Sequence, residues 1–240
     1  MPAGGGCGRS GCPRVPDQLV PEYLVSDHPL RQVLRQLTPA CCPGRVNFHC
    51  HTMCSDGSLS PLELAQQALE LGLEHLAITD HHSLAAHGPA MEVFEAAASE
   101  GRAVPSFWRG VEISCLLEGC LVHVLVLGFD ADHPSLEPYL QGRALVGPAL
   151  QAEAVLEAGR LAGGLLLLAH PARYRLPFQR LIAAADRLGF DGAEAWYDYQ
   201  MQPRWTPTPL VCEAIAAELQ QRGLLMSCGT DTHGLALLGR

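Results

Sequence analysis

Lysine is missing from this chain: all sixteen basic residues are arginine. A Walker-type phosphate loop, a Schiff-base lysine and a bridging lysine carbamate each need a primary amine, so none of the three can operate here. The ten cysteines include no CxxC pair, which argues against a zinc ribbon or thioredoxin-like chemistry, and those in apolar runs read as small buried hydrophobes. No GxGxxG follows the first strand pattern, which removes the main signal for a dinucleotide fold. No apolar run approaches the roughly 18 residues of a membrane span, and the N-terminal MPAGGGCGRSGCPRVP lacks the apolar core of a signal peptide. The expectation is a soluble protein of the reducing cytoplasm, with no membrane partner. Positive charge is scarce, the net formal charge being -9, so a broad basic track for long duplex nucleic acid is not expected. A small anionic substrate would need a local positive site.

What the chain does contain is a hydrophobic share of 48% in 240 residues, enough for one large domain with a single core. Residues 1–20 are rich in Gly, Pro and Cys and read as a loose leader. A short helix is expected over 29–37, and residues 1–44 together form a leader with that helix, ahead of a domain over 45–240. Val46–Gly57 is a short strand pattern ending in polar residues. Ser60-Pro61-Leu62-Glu63 has the form of a capping box with proline at the first helical position. From there strands and helices alternate, with strands at 76–79, 110–114, 121–127, 165–168, 191–196 and 224–228, and helices at 89–100, 148–161, 177–188 and 208–222. Seven strands in this grammar predict a parallel sheet, closed as a barrel rather than open.

The polar residues gather at strand ends. His49, His51 and Asp56 follow the first strand, His81 the second, Glu112 lies on the third, His123 within the fourth, His170 follows the fifth, and Asp231 and His233 the seventh. His49 and His51 alternate on one side of an extended chain, roughly 6.6 Å apart, so both rings can reach one ion at about 2.1 Å. Taken alone, that pair also fits a solvated edge strand. In a parallel barrel, however, strand C-termini open on one face, and six histidines with three carboxylates converging there need cations. The remaining histidines, His28, His75, His87 and His133, fall in turns or helix flanks and are expected to be solvated. His82 is read either as a substrate contact or as a turn residue.

The ordered set HCH at 49–51, SDG at 55–57, ITDHHS at 78–83, GVEIS at 110–114, His123, AHPARYR at 169–175 and GTDTH at 229–233 resembles the PHP (polymerase and histidinol phosphatase) family, and within it the small stand-alone phosphoesterase branch. The resemblance spans about residues 45–235. It implies a distorted seven-stranded (β/α)7 TIM-like barrel, a single α/β domain, with two or three divalent ions at its C-terminal face. It places one ion on His49, His51, Glu112 and Asp231, a second on Asp56, His81 and His233, and a third on Glu112, His123 and His170, with Glu112 bridging. One departure stands out: only 46 residues separate His123 from His170, too few for the long helical insertion of the nucleoside bisphosphate phosphatases that the family includes.

The resemblance implies a metal-dependent phosphoesterase acting on a phosphomonoester of a small metabolite or nucleotide through metal-bound hydroxide. Glu112, Asp56 and His81 are the expected catalytic residues. Three divalent ions bring about +6 of charge against three carboxylates, so the site would attract phosphate. Arg173 and Arg175, directly after His170, are the expected phosphate contacts, since guanidinium suits bidentate binding. Nitrogen-rich ligands favour Mn2+, Fe2+ or Zn2+ over Mg2+. The alternatives are a 5′-3′ exonuclease on short oligonucleotides and a non-catalytic metal-binding module.

Overall fold

The computed structural model describes residues 28–239. The expected leader over 1–20 and most of the 1–44 segment therefore lie outside the described residues. The order is α1 (Leu30–Leu34), β1 (Val46–Asn47), α2 (Pro61–Leu71), β2 (His75–Ile78), α3 (His87–Ser99), β3 (Ser106–Leu117), β4 (Cys120–Leu127), α4 (Ala152–Leu161), β5 (Leu165–Leu168), α5 (Phe178–Leu188), β6 (Gly192–Trp196), α6 (Pro209–Gln221) and β7 (Leu225–Cys228). The seven strands pair in sequence order as one sheet. Helix α2 opens on the predicted capping box, with Ser60 accepting from the Glu63 N–H and Glu63 reaching back to the Ser60 N–H.

One expectation fails. The sheet is not all parallel: β4 runs antiparallel to both β3 and β5. Leu117 pairs with Cys120 across Glu118-Gly119, both at positive φ (53° and 67°). Such a two-residue hairpin matches the strand twist and leaves no room for a crossover helix. The inversion brings the start of β4, with His123, to the same end of the sheet as the C-terminal ends of its parallel neighbours.

The sheet curls into a nearly closed barrel, and the seam between β7 and β1 is stitched just beyond the assigned strands. Phe48 N–H donates to Cys228 O (3.1 Å), Asp231 N–H to His49 O (2.8 Å) and His51 N–H to Thr232 O (3.2 Å). Asn47 adds a side-chain staple, donating to Thr230 Oγ1 (2.8 Å) and accepting from the Thr230 N–H (3.1 Å). Strand β5 is fully buried along Leu165–Leu168, as expected for a central strand covered on both faces. A second apolar cluster, with Leu64, Ala68, Leu76, Ile78, Ala90 and Phe94, seats α2 and α3 against β2.

The four histidines expected to be solvated are not exposed. His87 is 2% exposed with Nε2 on Ile78 O (3.1 Å). His28 sits on Gly128 O (2.9 Å), His75 accepts from the Trp108 indole N–H (3.2 Å), and His133 pairs with Ser135 (2.7 Å). His28, His75 and His87 each tie together segments distant in sequence, whereas His133 closes a local turn.

At the seam, a Cβ on Gly229 would fall 2.3 Å from His49 Cβ. Gly229→Ala should therefore cost on the order of 1–3 kcal/mol through overpacking, measured by chemical denaturation. A neutral result would mean the seam is looser than described.

Candidate metal centre

Each polar side chain arrives by a different route. Past β1 the chain stays extended through His49 and His51, then folds back under Asp80, which accepts from Thr52 N–H (2.7 Å), Thr52 Oγ–H (2.6 Å) and Ser55 Oγ–H (2.6 Å). Gly57 packs so closely that a Cβ would lie 2.6 Å from the His51 carbonyl, and the tight return carries Asp56 back beside His51. His81, three residues past the end of β2, forms a parallel bridge with Glu112 in the middle of β3. Register pairs His123 with Ser114, two residues on from Glu112. His170 and Asp231 both take positive φ (27° and 50°), rare for non-glycine residues and concentrated at functional sites.

All nine predicted residues meet. His49 Nε2, His51 Nε2 and Glu112 Oε2 are mutually 3.0–3.1 Å apart, and Asp231 Oδ1 lies 3.3 and 3.2 Å from the two nitrogens. Adjacent ligand atoms about 2.0–2.1 Å from one ion lie about 2.8–3.4 Å from each other, so these four atoms match the edges of a coordination polyhedron. Asp56 Oδ2 faces His233 Nε2 at 3.2 Å and His81 Nε2 at 3.7 Å. Glu112 Oε1 faces His123 Nδ1 at 3.0 Å and His170 Nε2 at 3.2 Å, yet this buried oxygen has no aligned hydrogen bond. Glu112 thus directs one oxygen to each of two histidine groups. A buried carboxylate oxygen among imidazole nitrogens, none aligned to donate to it, is the environment of a cation. The donor set fits divalent metal ions.

A sequence profile of the PHP domain matches residues 47–208. The chain belongs to the PHP domain family. It is 32% identical over 188 residues to a 5′-3′ exoribonuclease of Haemophilus influenzae, covering 72% of this chain and 65% of that protein. It is 34% identical over 120 residues to a 3′,5′-nucleoside bisphosphate phosphatase of Chromobacterium violaceum, covering 49% and 40%. The chain thus spans between two fifths and two thirds of the length of these two relatives. In fold it resembles a Bifidobacterium adolescentis crystal structure assigned to the metal-dependent phosphoesterases, with a TM-score of 0.63, 22% identity and coverage of 82% and 91%. The profile match stops before Asp231 and His233, which the seam with β1 nevertheless brings into the PHP site.

Electrostatics within this PHP site divide the histidines. Burial alone would push His49 and His51 down. The carboxylates of Glu112, Glu194 and Asp231 overrule it, holding His49 well above the usual imidazole range, and hydrogen bonds to Asp231 and Glu112 carry His51 to about 9. His81 goes the other way, to about 4, because burial is reinforced by His51 and His123 against the pull of Glu112. Burial works against the charged forms of Glu112 and Asp231 too, but the surrounding imidazoles, His49 first, keep both carboxyls well below their usual range.

The three expected substrate contacts fare differently. Arg173 reaches the site: its Nη1 meets Asp231 Oδ2 (3.1 Å) and Tyr197 Oη (3.0 Å), and the side chain stays 35% exposed. Arg175 instead donates to Gly119 O (2.5 Å) at the hairpin tip, seven residues beyond Glu112. His82 is corrected to a positioning role. It is 3% exposed, Nε2 accepts from the Ser114 N–H (3.2 Å) and Nδ1 donates to Tyr139 O (3.0 Å), so neither nitrogen remains for substrate.

Two residues gain roles that sequence alone left open. Glu194 is fully buried, with Oε1 3.0 Å from His49 Nδ1 and Oε2 accepting from the His170 N–H (2.8 Å). Glu194 Oε1 and His49 Nδ1 face each other without an aligned hydrogen bond, so this carboxylate acts on His49 through its charge, helping to hold the imidazole's pKa up. Tyr197 donates to Asp231 Oδ2 (2.5 Å), fixing the oxygen opposite the one facing the histidines. At sequence level the signal was faint: one carboxylate in a buried strand.

In metal-free protein at pH 7 the raised pKa of His51, about 9, keeps a proton on this pair, whose Nε2 atoms lie 3.1 Å apart, whereas a metal takes neutral imidazole. Filling this group should release at least about one proton per chain at pH 7, with the release from His51 falling away as pH rises through about 9. Calorimetric titration in buffers of different ionisation heat measures this, and no release at pH 7 would contradict the electrostatics.

Proposed function

We propose that the chain is a metal-dependent phosphoesterase that hydrolyses a phosphomonoester of a small metabolite or nucleotide. It uses two or three ions, with Mn2+, Fe2+ or Zn2+ preferred over Mg2+ because imidazole supplies six of the nine candidate ligands. The observation that carries this reading is Glu112, whose two oxygens face two different histidine groups beside a half-open arginine. Bound divalent ions supply Lewis acidity toward phosphoryl oxygen and lower the pKa of coordinated water.

The protein's own side chains then divide the work. His49, His51, Glu112 and Asp231 form the buried anchor, all 2% exposed or less. Asp56, at 53% exposure, with His81 and His233 at 24% and 30%, stands at the open side where a phosphoryl group arrives. Arg173, half turned to solvent, is placed to bind a phosphate oxygen with its remaining N–H groups. The described cysteines are all free thiols and no described helix is long and apolar enough to cross a membrane, which supports a cytoplasmic setting.

A second reading, a 5′-3′ exonuclease on short oligonucleotides, is favoured by the Haemophilus relative. Both readings use the same centre. Asp56→Ala and His81→Ala should each lower turnover of a generic aryl phosphate on the order of a hundredfold or more, at least matching losses seen when outer-shell partners of metal ligands are removed, with circular dichroism unchanged. Turnover that survives both substitutions would refute phosphoesterase chemistry at this centre.

A further inference from the structure

The β3–β4 hairpin continues past Glu112 and His123, and its tip meets three arginines. Arg180 and Arg187 each place Nη2 2.9 Å from a different oxygen of Glu118, while Arg175 donates to Gly119 O. Arg180 and Arg187 stay 58% and 63% exposed. Three guanidinium groups against one carboxylate leave an excess of about +2 in a chain whose net charge is -9. Exposed ion pairs of this kind add little stability, and a hairpin closed by a two-residue turn needs no such clamp. Each guanidinium carries five donors in a rigid fork, so most remain free to bind.

Arg173 stands at the metal centre, and Leu121 lies on β4 two residues past Gly119 of the hairpin turn, opposite Leu116. Leu121 precedes His123 by two residues, so both lie on the same face of β4, and it is 54% exposed. From Ser114, the partner of His123, to Glu118 is about 13 Å along the strand, more than one phosphoryl group spans. The connection from β4 to β5 adds only α4 and two short 3-10 turns (Glu137–Leu140 and Gly147–Leu150).

We propose that the face running from Arg173 across Leu121 to Arg175, Arg180 and Arg187 binds the backbone of a short single-stranded oligonucleotide whose terminal phosphate lies at the metal centre. This rests on the phosphoesterase reading for the terminal phosphate, whereas the hairpin contact is independent of turnover. Charge at intervals beside exposed apolar surface suits a single strand, whose phosphates seek cations while unstacked bases seek apolar contact. The patch is too small for a long duplex, in keeping with the acidity of the whole chain. Glu118 competes for two of the three arginines, so its removal should strengthen binding.

The test uses fluorescence anisotropy of the full-length, metal-loaded protein with a hydrolysis-resistant phosphorothioate pentanucleotide, against a mononucleotide control. Arg180→Ala combined with Arg187→Ala should weaken pentanucleotide binding at least about fivefold and reduce the slope of log affinity against log salt by about 1.4, near 0.7 for each lost phosphate contact. Mononucleotide binding and aryl phosphate turnover should stay unchanged. Glu118→Gln should shift pentanucleotide affinity the opposite way. Unchanged pentanucleotide binding in the double variant, weaker binding in Glu118→Gln, or equal losses for both ligands would each overturn the proposal. Loss of the expected binding pattern with normal aryl phosphate turnover condemns this surface alone. The expected pattern without turnover condemns the catalytic reading instead.

Discussion

The structure turns on one electrostatic constraint: the carboxylates of Glu112 and Asp231 are ionised at a place that water barely reaches. A buried charge is tolerated only when paired and hydrogen-bonded. Here the compensation comes from five different sheet elements, and that requirement explains features that would otherwise be unrelated. Asn47 staples the seam so that His49 and Asp231 share one register. Asp80 pins the loop that returns Asp56 toward His51 and His81. His170 and Asp231 hold unfavourable positive φ because their side chains are needed at one point.

The inverted strand serves the same end. A fourth parallel strand would present its C-terminal end to the site after a full helical crossover. The tight hairpin at Glu118-Gly119 instead lays His123 beside Ser114 with no crossover at all. The hairpin also carries β3 and β4 on, paired with each other to Leu117 and Cys120, beyond where they pair with β2 and β5. PHP chemistry and the proposed strand contact therefore depend on the same local turn.

Much of this was readable in the sequence because strand-end chemistry is periodic and local. The capping box at Ser60, the HxH alternation and the buried Leu165–Leu168 run all follow from spacing and side-chain type, and they survive in the structure. The inversion of β4 was readable in principle, since too few residues separate the third and fourth strands for a crossover helix. What pattern could not supply was long-range pairing. His87 looks like a surface histidine, and His82 like a substrate contact or a turn residue, until Ile78, Tyr139 and Ser114 are seen to meet them. Glu194 is likewise one carboxylate among apolar neighbours, and its purpose emerges only when β6 sets it behind His49 and His170.

The central claim is that these nine side chains form a multinuclear metal centre, with Glu112 shared between ions. Elemental analysis of full-length protein, purified without chelator and again after reconstitution, tests it most directly. The account predicts about two to three equivalents of a transition metal per chain, following the overlapping groups His49, His51, Glu112 and Asp231; His51, Asp56, His81 and His233; and His81, Glu112 and His123, with His170 beside Glu112 Oε1. Fewer than two equivalents persisting after reconstitution would contradict it.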